Sequence, residues 1–181
     1  KINTLISECI EYGTIPFSIL ARHGFIAEGL LRSAVNNGIL SSDRLKDFRK
    51  SVVTVAGEMS EDFNKVLSHT MTKDDFIQEY GHLRPSSYDI LSPNYANRKD
   101  LFDGDLKRVV TISSSFELMD KERKALNLLL GEHGMDGLNA DDILIYAKRA
   151  IQGREYAKFI FTRHLSSILE YVAMWGKIKG F

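Results

Sequence analysis

The sequence predicts an all-α chain, and three observations carry that expectation. Apolar side chains recur at three- and four-residue steps along most of its 181 residues. Helix-capping residues and terminal glycines punctuate those runs. No regular alternation of strands and helices appears that would build a parallel sheet. The expected architecture is a multi-helix bundle with one long ordered loop, about 81–105, and a long C-terminal helix.

The elements follow in order. Residues 3–12 form a short amphipathic helix that stops at Gly13, a residue suited to the left-handed end position. Pro16 fits the first turn of the next helix, where its missing N–H is not needed. That helix runs to about Asn37 and ends at Gly38. Phe17, Leu20, Ile26, Leu30, Leu31 and Val35 make it apolar around most of its circumference, as a central, heavily buried helix would be. Ser41 or Ser42 caps a third helix, along which Leu45, Phe48, Val52, Val55, Met59, Phe63 and Val66 recur. Thr72 with Asp75 resembles a capping box opening a short helix that closes at Gly81. Arg108 to Ile112 has β-branched character suited to a short strand, although no partner strand is evident. A helix spans about Asp120–Glu132 with Leu126, Leu129 and Leu130 inward. Asn139, three residues before Asp142, caps the longest helix, roughly 140–178; Gly153 is a site for a kink rather than a break.

Composition narrows the function classes. Twenty-four basic residues balance twenty-four acidic ones, so no broad cationic field for nucleic acid or anionic lipid is expected. No apolar run approaches the roughly 20 residues that span a bilayer. The single cysteine, Cys9, has no internal partner, which favours a reducing, cytoplasmic setting. A chain of this size buries roughly 70 % of its unfolded surface, enough to fold without a disulfide or metal. It opens at Lys1-Ile2-Asn3 without methionine and ends at Lys179-Gly180-Phe181, straight out of a helical pattern. The expectation is one helical domain, 1–181, excised from a longer polypeptide.

The irregular stretch after Tyr80 is the most informative segment. It holds two of the three prolines, Pro85 and Pro93, amid aromatic and charged residues. Structureless loops of this length are uncommon in compact domains and are usually functional or disordered. Tyr88, Ile90, Leu91, Tyr95 and Phe102 argue for order, because disordered segments are poor in such residues. His82 is placed either to cap exposed carbonyls or to contact a ligand. Arg84 offers a planar fork for carboxylate or phosphate, or for the loop's own carbonyls and Asp89. Tyr88 and Tyr95 read as packing residues rather than stacking platforms.

The last helix adds a second feature. Its inward stripe runs Leu144, Ala147, Ile151, then Arg154 and Lys158, then Phe161, Leu165, Ile168 and Val172. Two cations thus stand where apolar side chains are called for, with Glu155, Arg163 and His164 on adjacent faces. Such charges must be paired, snorkelled or facing a wet cleft. The readings open are an internal ion-pair network reaching Asp89, a cationic cleft for an anionic ligand, and solvation of an exposed helix side.

Several chemistries find no support. There is no Gly-rich phosphate loop and no cysteine–histidine cluster with zinc spacing. His23, His69 and His133 sit near helix ends or surfaces without an obvious partner. Glu58, Glu61 and Asp62 read as a solvated acidic turn rather than a metal site. No nucleophile–base pair is evident.

Two segments resemble a known family. Glu79-Tyr80-Gly81-His82-Leu83-Arg84-Pro85, continuing through Tyr88-Asp89-Ile90 and Ser92-Pro93, resembles a stretch of the phosphoenolpyruvate-utilising enzymes. It looks most like the phosphoenolpyruvate synthase-like and rifampin-phosphotransferase-like branch. It departs from that pattern at Leu83 and at Ser86-Ser87, where a glycine and an acid are usual. Arg154-Glu155-Tyr156-Ala157-Lys158-Phe159, through Thr162-Arg163, resembles the helix preceding the mobile domain in the same family. The resemblance implies a middle helical region between a nucleotide-binding domain and a phosphohistidine domain of the same polypeptide. In such enzymes ATP, with Mg, phosphorylates a mobile histidine that passes the group to an acceptor. This chain has neither a nucleotide segment nor a phosphohistidine motif (His69-Thr70 has the reverse order), so no catalytic residue is assigned to it. The implied role is to bind the acceptor or to support its site, with His82, Arg84, Arg154, Lys158 and Arg163 as substrate-binding candidates. A helical interaction or regulatory domain without a substrate site is the alternative.

Overall fold

The computed structural model describes residues 2–103 and 115–180. The chain is all-α, and the described residues contain no strand. The helices are α1 (Ile2–Glu8), α2 (Ile15–Asn36), α3 (Ser42–Ser51), α4 (Val55–Leu67), α5 (Lys73–Tyr80), α6 (Asp120–Glu132) and α7 (Ala140–Ile178). A π-helical segment, Cys9–Thr14, follows α1, and a 3-10 turn spans Tyr95–Asn97. The strand expected at Arg108–Ile112 lies outside the described residues. None of the described helices is long and apolar enough to cross a membrane.

The break expected at Gly13 does not occur. Glu8 and Ile15, on either side of the π segment, are both in the right-handed helical region, so the backbone passes from α1 to α2 without a cap. The Ile15 N–H reaches back five residues to the Ile10 carbonyl. Pro16 supplies the reason: it brings no N–H, and its ring crowds the carbonyl four residues back. Widening the preceding turn relieves that crowding. The Thr14 hydroxyl donates to the Cys9 carbonyl at 3.2 Å, satisfying an acceptor in the widened turn. Gly13 lies where Phe161 approaches, and a Cβ there would sit 3.1 Å from that ring.

The third helix expected over Leu45–Val66 is two helices. Val52 is extended at the end of α3, and α4 starts at Val55. Val52, Val53 and Thr54 are three β-branched residues in a row, which lose side-chain freedom in a helix. Capping was readable elsewhere. The Ser41 hydroxyl accepts from the Arg44 N–H at 3.2 Å, and Thr72 accepts from the Asp75 N–H at 3.0 Å. Asn139 and Asp142 form a reciprocal box, Asn139 accepting from the Asp142 N–H at 3.1 Å and donating to its carboxylate at 3.0 Å. Gly38 closes α2 in the left-handed conformation, φ +70°. Gly153 leaves α7 unbroken.

The chain divides into two compact units. Unit 1 comprises 1–18, 55–111 and 156–181; unit 2 comprises 19–54 and 112–155. In unit 2, Ala27 and Leu31 of α2 meet Phe48 of α3 and Ala147, Ala150 and Ile151 of α7. The alanines allow helix axes to approach closely. A second cluster there joins Ala34, Leu40, Leu126, Leu130 and Ile143. Contrary to the expectation of all-round burial, α2 buries one face only, and Phe25 and Ile26 are exposed. Arg44 binds the buried Glu122 carboxylate with both prongs, at 2.9 and 2.8 Å, and lies 4.3 Å from the Phe116 ring centre. That bond holds the Glu122 carboxyl below its ordinary pKa.

Unit 1 is built on aromatics. Phe76, Tyr80 and Phe159 form its buried centre with Val66. Phe63 stacks on Phe102 at 5.7 Å, and Phe76 meets Phe102 edge-on at 5.6 Å. The Tyr80 hydroxyl donates to Asp62 at 2.8 Å, while Lys65 binds the other Asp62 oxygen at 2.7 Å. Of the three acids expected in a solvated turn, all lie on α4; Glu58 and Glu61 are exposed to solvent, and Asp62 is the one that anchors these contacts. Burial, with the Asp62 bond, raises the pKa of Tyr80.

Candidate functional site

The segment after α5 closes on itself. Gly81 ends α5 with right-handed angles, and its N–H donates to the Ile77 carbonyl at 2.7 Å. Tyr95 N–H then returns to the Leu83 carbonyl at 2.8 Å, and Ala96 N–H to the Gly81 carbonyl at 3.0 Å. The result is an Ω-type loop whose ends touch. Asn94, buried, caps the 3-10 turn by accepting from the Asn97 N–H at 3.0 Å.

Arg84 fills the centre of that loop, its side chain only 2 % exposed. One guanidinium nitrogen donates to the Asp89 and Ser92 carbonyls at 3.2 and 3.0 Å. The other donates to the Ser166 hydroxyl at 2.9 Å, the Ser166 carbonyl at 3.3 Å and Glu170 at 3.0 Å. Asn97 donates to the second Glu170 oxygen at 3.3 Å. The guanidinium thus joins the loop to α7 through five acceptors, with Nε unpartnered. Asp89 contributes its carbonyl to Arg84, while its carboxylate accepts from the Leu91 N–H at 2.9 Å.

His82 and Arg163 flank Phe159. The His82 Nε2 lies 3.1 Å from the Phe159 carbonyl, to which it donates when that nitrogen carries the ring proton. Burial is the main cause that lowers its pKa to about 4. Arg163 lies 4.9 Å from the Phe159 ring centre and donates to the Glu79 carboxylate at 2.7 Å. His164 stands 3.6 Å from Glu8, an ion pair only when protonated.

The remaining candidates lie elsewhere. Lys158 is exposed and not on the inward face. Arg84 takes Ser166 and Glu170 of α7 as its partners, and Arg154 belongs to unit 2. Arg154 lays its stem on Gly24, where a Cβ would come within 2.9 Å of its Cδ, and pairs with Glu155 at 3.1 Å. The difference between 3.5 and 3.6 residues per turn amounts to only about 40° at Lys158, so it is the buried face itself that changes along α7, from Ile143, Ala147, Ala150 and Ile151 to a different set. By the second half of α7 the buried positions are Phe159, Thr162 and Ser166, each one residue beyond Lys158, Phe161 and Leu165.

Other expectations change too. Tyr88 is exposed rather than packed, and Leu91 is 87 % exposed. His23, read as unpartnered, meets the Tyr146 hydroxyl at 3.0 Å. The residues that reading missed are Ser166 and Glu170, polar members of the true inward face of α7 whose spacing from Thr162 was a usable signal. Leu91 and Trp175, the latter 57 % exposed, border an open groove of about 670 Å³ with Ile90, Pro93 and Val172. Among the described residues no group of three or more histidine, cysteine or acidic side chains is arranged to hold a metal.

The neutral His82 gives a pH signature. Between the ordinary imidazole value of 6.5 and about 4, the unfolded chain binds a proton that the folded chain does not. Stability is expected to fall as the pH is lowered through that window. His82→Gln keeps a donor for the Phe159 carbonyl without titrating, so its melting temperature should vary less with pH over the same range. Identical pH profiles for the two proteins would refute this account of the buried imidazole.

Comparison with protein-family models, curated proteins and solved structures finds no match to this chain.

Proposed function

We propose that the chain is a helical scaffold domain of a phosphoenolpyruvate synthase-like phosphotransferase, working between nucleotide-binding and phosphohistidine domains of one polypeptide. One observation carries the reading: the two segments that resemble the family meet in space. His82 binds Phe159, Glu79 binds Arg163, and Arg84 binds Ser166 and Glu170 beyond them. The burial and near-complete hydrogen bonding of Arg84 favour a structural clamp over an acceptor contact. Phosphoryl transfer rests on positioning and on preorganised charge, so a rigid loop–helix joint is a fitting contribution. ATP and Mg belong to the other domains in this reading.

The test uses the intact polypeptide with ATP and Mg. Formation of an acid-labile phosphohistidine is expected, and its absence rejects the family reading. Lys158→Met and Arg163→Met, single changes at accessible cations, should leave acceptor-dependent turnover within about threefold, under 1 kcal/mol of barrier. A hundredfold loss with unchanged melting temperature and unchanged autophosphorylation would instead make them acceptor contacts. The groove beside Leu91 and Trp175 favours a second reading, a helical protein-interaction domain. That reading requires Trp175→Asp to abolish association while phosphohistidine is never formed.

A further inference from the structure

We propose that unit 2 contains a binding site for a small apolar group, an aromatic ring or a short aliphatic chain, enclosed by α2, α6 and the start of α7. The cavity measures about 100 Å³. Its floor is Leu31, Ala34, Leu40, Leu126, Leu130 and Ile143, none more than 8 % exposed. Its rim is Ser33, His133 and Met135, all exposed. Protein interiors normally close to the density of organic crystals. A void walled by leucine and isoleucine offers nothing to hold water and takes up apolar molecules instead.

The end of α6 shapes the entrance. Met135 N–H returns to the Leu130 carbonyl at 2.9 Å, and Gly134 N–H to the Gly131 carbonyl at 3.0 Å. Gly134 adopts the left-handed conformation, φ +71°, that this closure demands. The chain therefore doubles back and sets Met135 on the rim. A flexible thioether there can yield to ligands of different outline. The polar groups are confined to the rim, where the Ser33 hydroxyl and the His133 imidazole can meet one polar substituent. The floor provides no counter-charge, so the buried part of the ligand is uncharged.

The experiment titrates benzene into the intact protein and follows its leucine and methionine methyl resonances. Saturable shifts are expected for Leu126, Leu130 and Met135. Ala34→Ile fills the floor, and Met135→Trp, at an exposed position that should not disturb folding, obstructs the entrance. Each is expected to weaken benzene binding at least about tenfold. No saturable shift in the unmodified protein overturns the proposal. So does binding that persists undiminished in folded Met135→Trp, whatever the fate of Ala34→Ile.

Discussion

Arg84→Ala is expected to destabilise the protein by about 3–4 kcal/mol, measured as a fall in the urea midpoint with an unchanged slope. The change strips donors from the Asp89, Ser92 and Ser166 carbonyls and removes the cation from Glu170. Water can reach Glu170, whose side chain is 36 % exposed, which keeps the cost below that of orphaning a fully buried charge. Arg84→Lys should recover less than half the loss, because an ammonium cannot span loop and helix in two directions as the planar fork does. Glu170→Gln should be milder, about 1 kcal/mol, since an acceptor oxygen remains. If Arg84→Ala and Arg84→Lys both left the midpoint unchanged, the guanidinium would not be what joins loop to helix.

The second large effect is expected at Gly81. The residue has ordinary helical angles, so its identity is not required by backbone conformation. Space requires it: a Cβ would strike the Ile77 carbonyl oxygen and stand 3.2 Å from the Ala96 Cβ. Neither obstacle is the free end of a side chain. Gly81→Ala is therefore expected to cost about 2–3 kcal/mol, in the range of overpacked sites, although the same change in an open helix would stabilise it. Gly29→Ala serves as the control, because nothing lies within 4 Å of a Cβ there. A Gly81→Ala protein as stable as Gly29→Ala would show that the base of the loop can open to admit a methyl group.

The helix ends were legible because their chemistry is local. Thr72 with Asp75, Asn139 with Asp142, and Gly38 each satisfy or reverse the backbone within a few residues. The helix from Asp120 to Glu132 was legible for the same reason, Leu126 and Leu130 being buried four residues apart on one face while Leu128 is exposed. The split after Val52 was also written locally, in three successive β-branched residues, but the apolar periodicity running across it masked the signal. What could not be read depends on distant partners. The burial of Arg84 requires Ser166 and Glu170, more than eighty positions away. The outward turn of Lys158 follows from the burial of its neighbour Phe159 against Phe76 and Tyr80, about eighty positions away, which fixes a different buried face in the second half of α7. The candidate site was thus legible as a pair of segments, His82–Arg84 and Phe159–Arg163, but not as a set of contacts.

The π segment bears on chain length. A five-residue reach in place of a four-residue one accommodates an additional amino acid per turn. The stretch Cys9–Thr14 is consequently the place in this helix where a one-residue gap in a sequence alignment has a structural meaning. A homologous chain without a proline at position 16 would lose the reason for the wide turn. It could run one residue shorter there while still presenting its equivalent of Gly13 to the ring of Phe161.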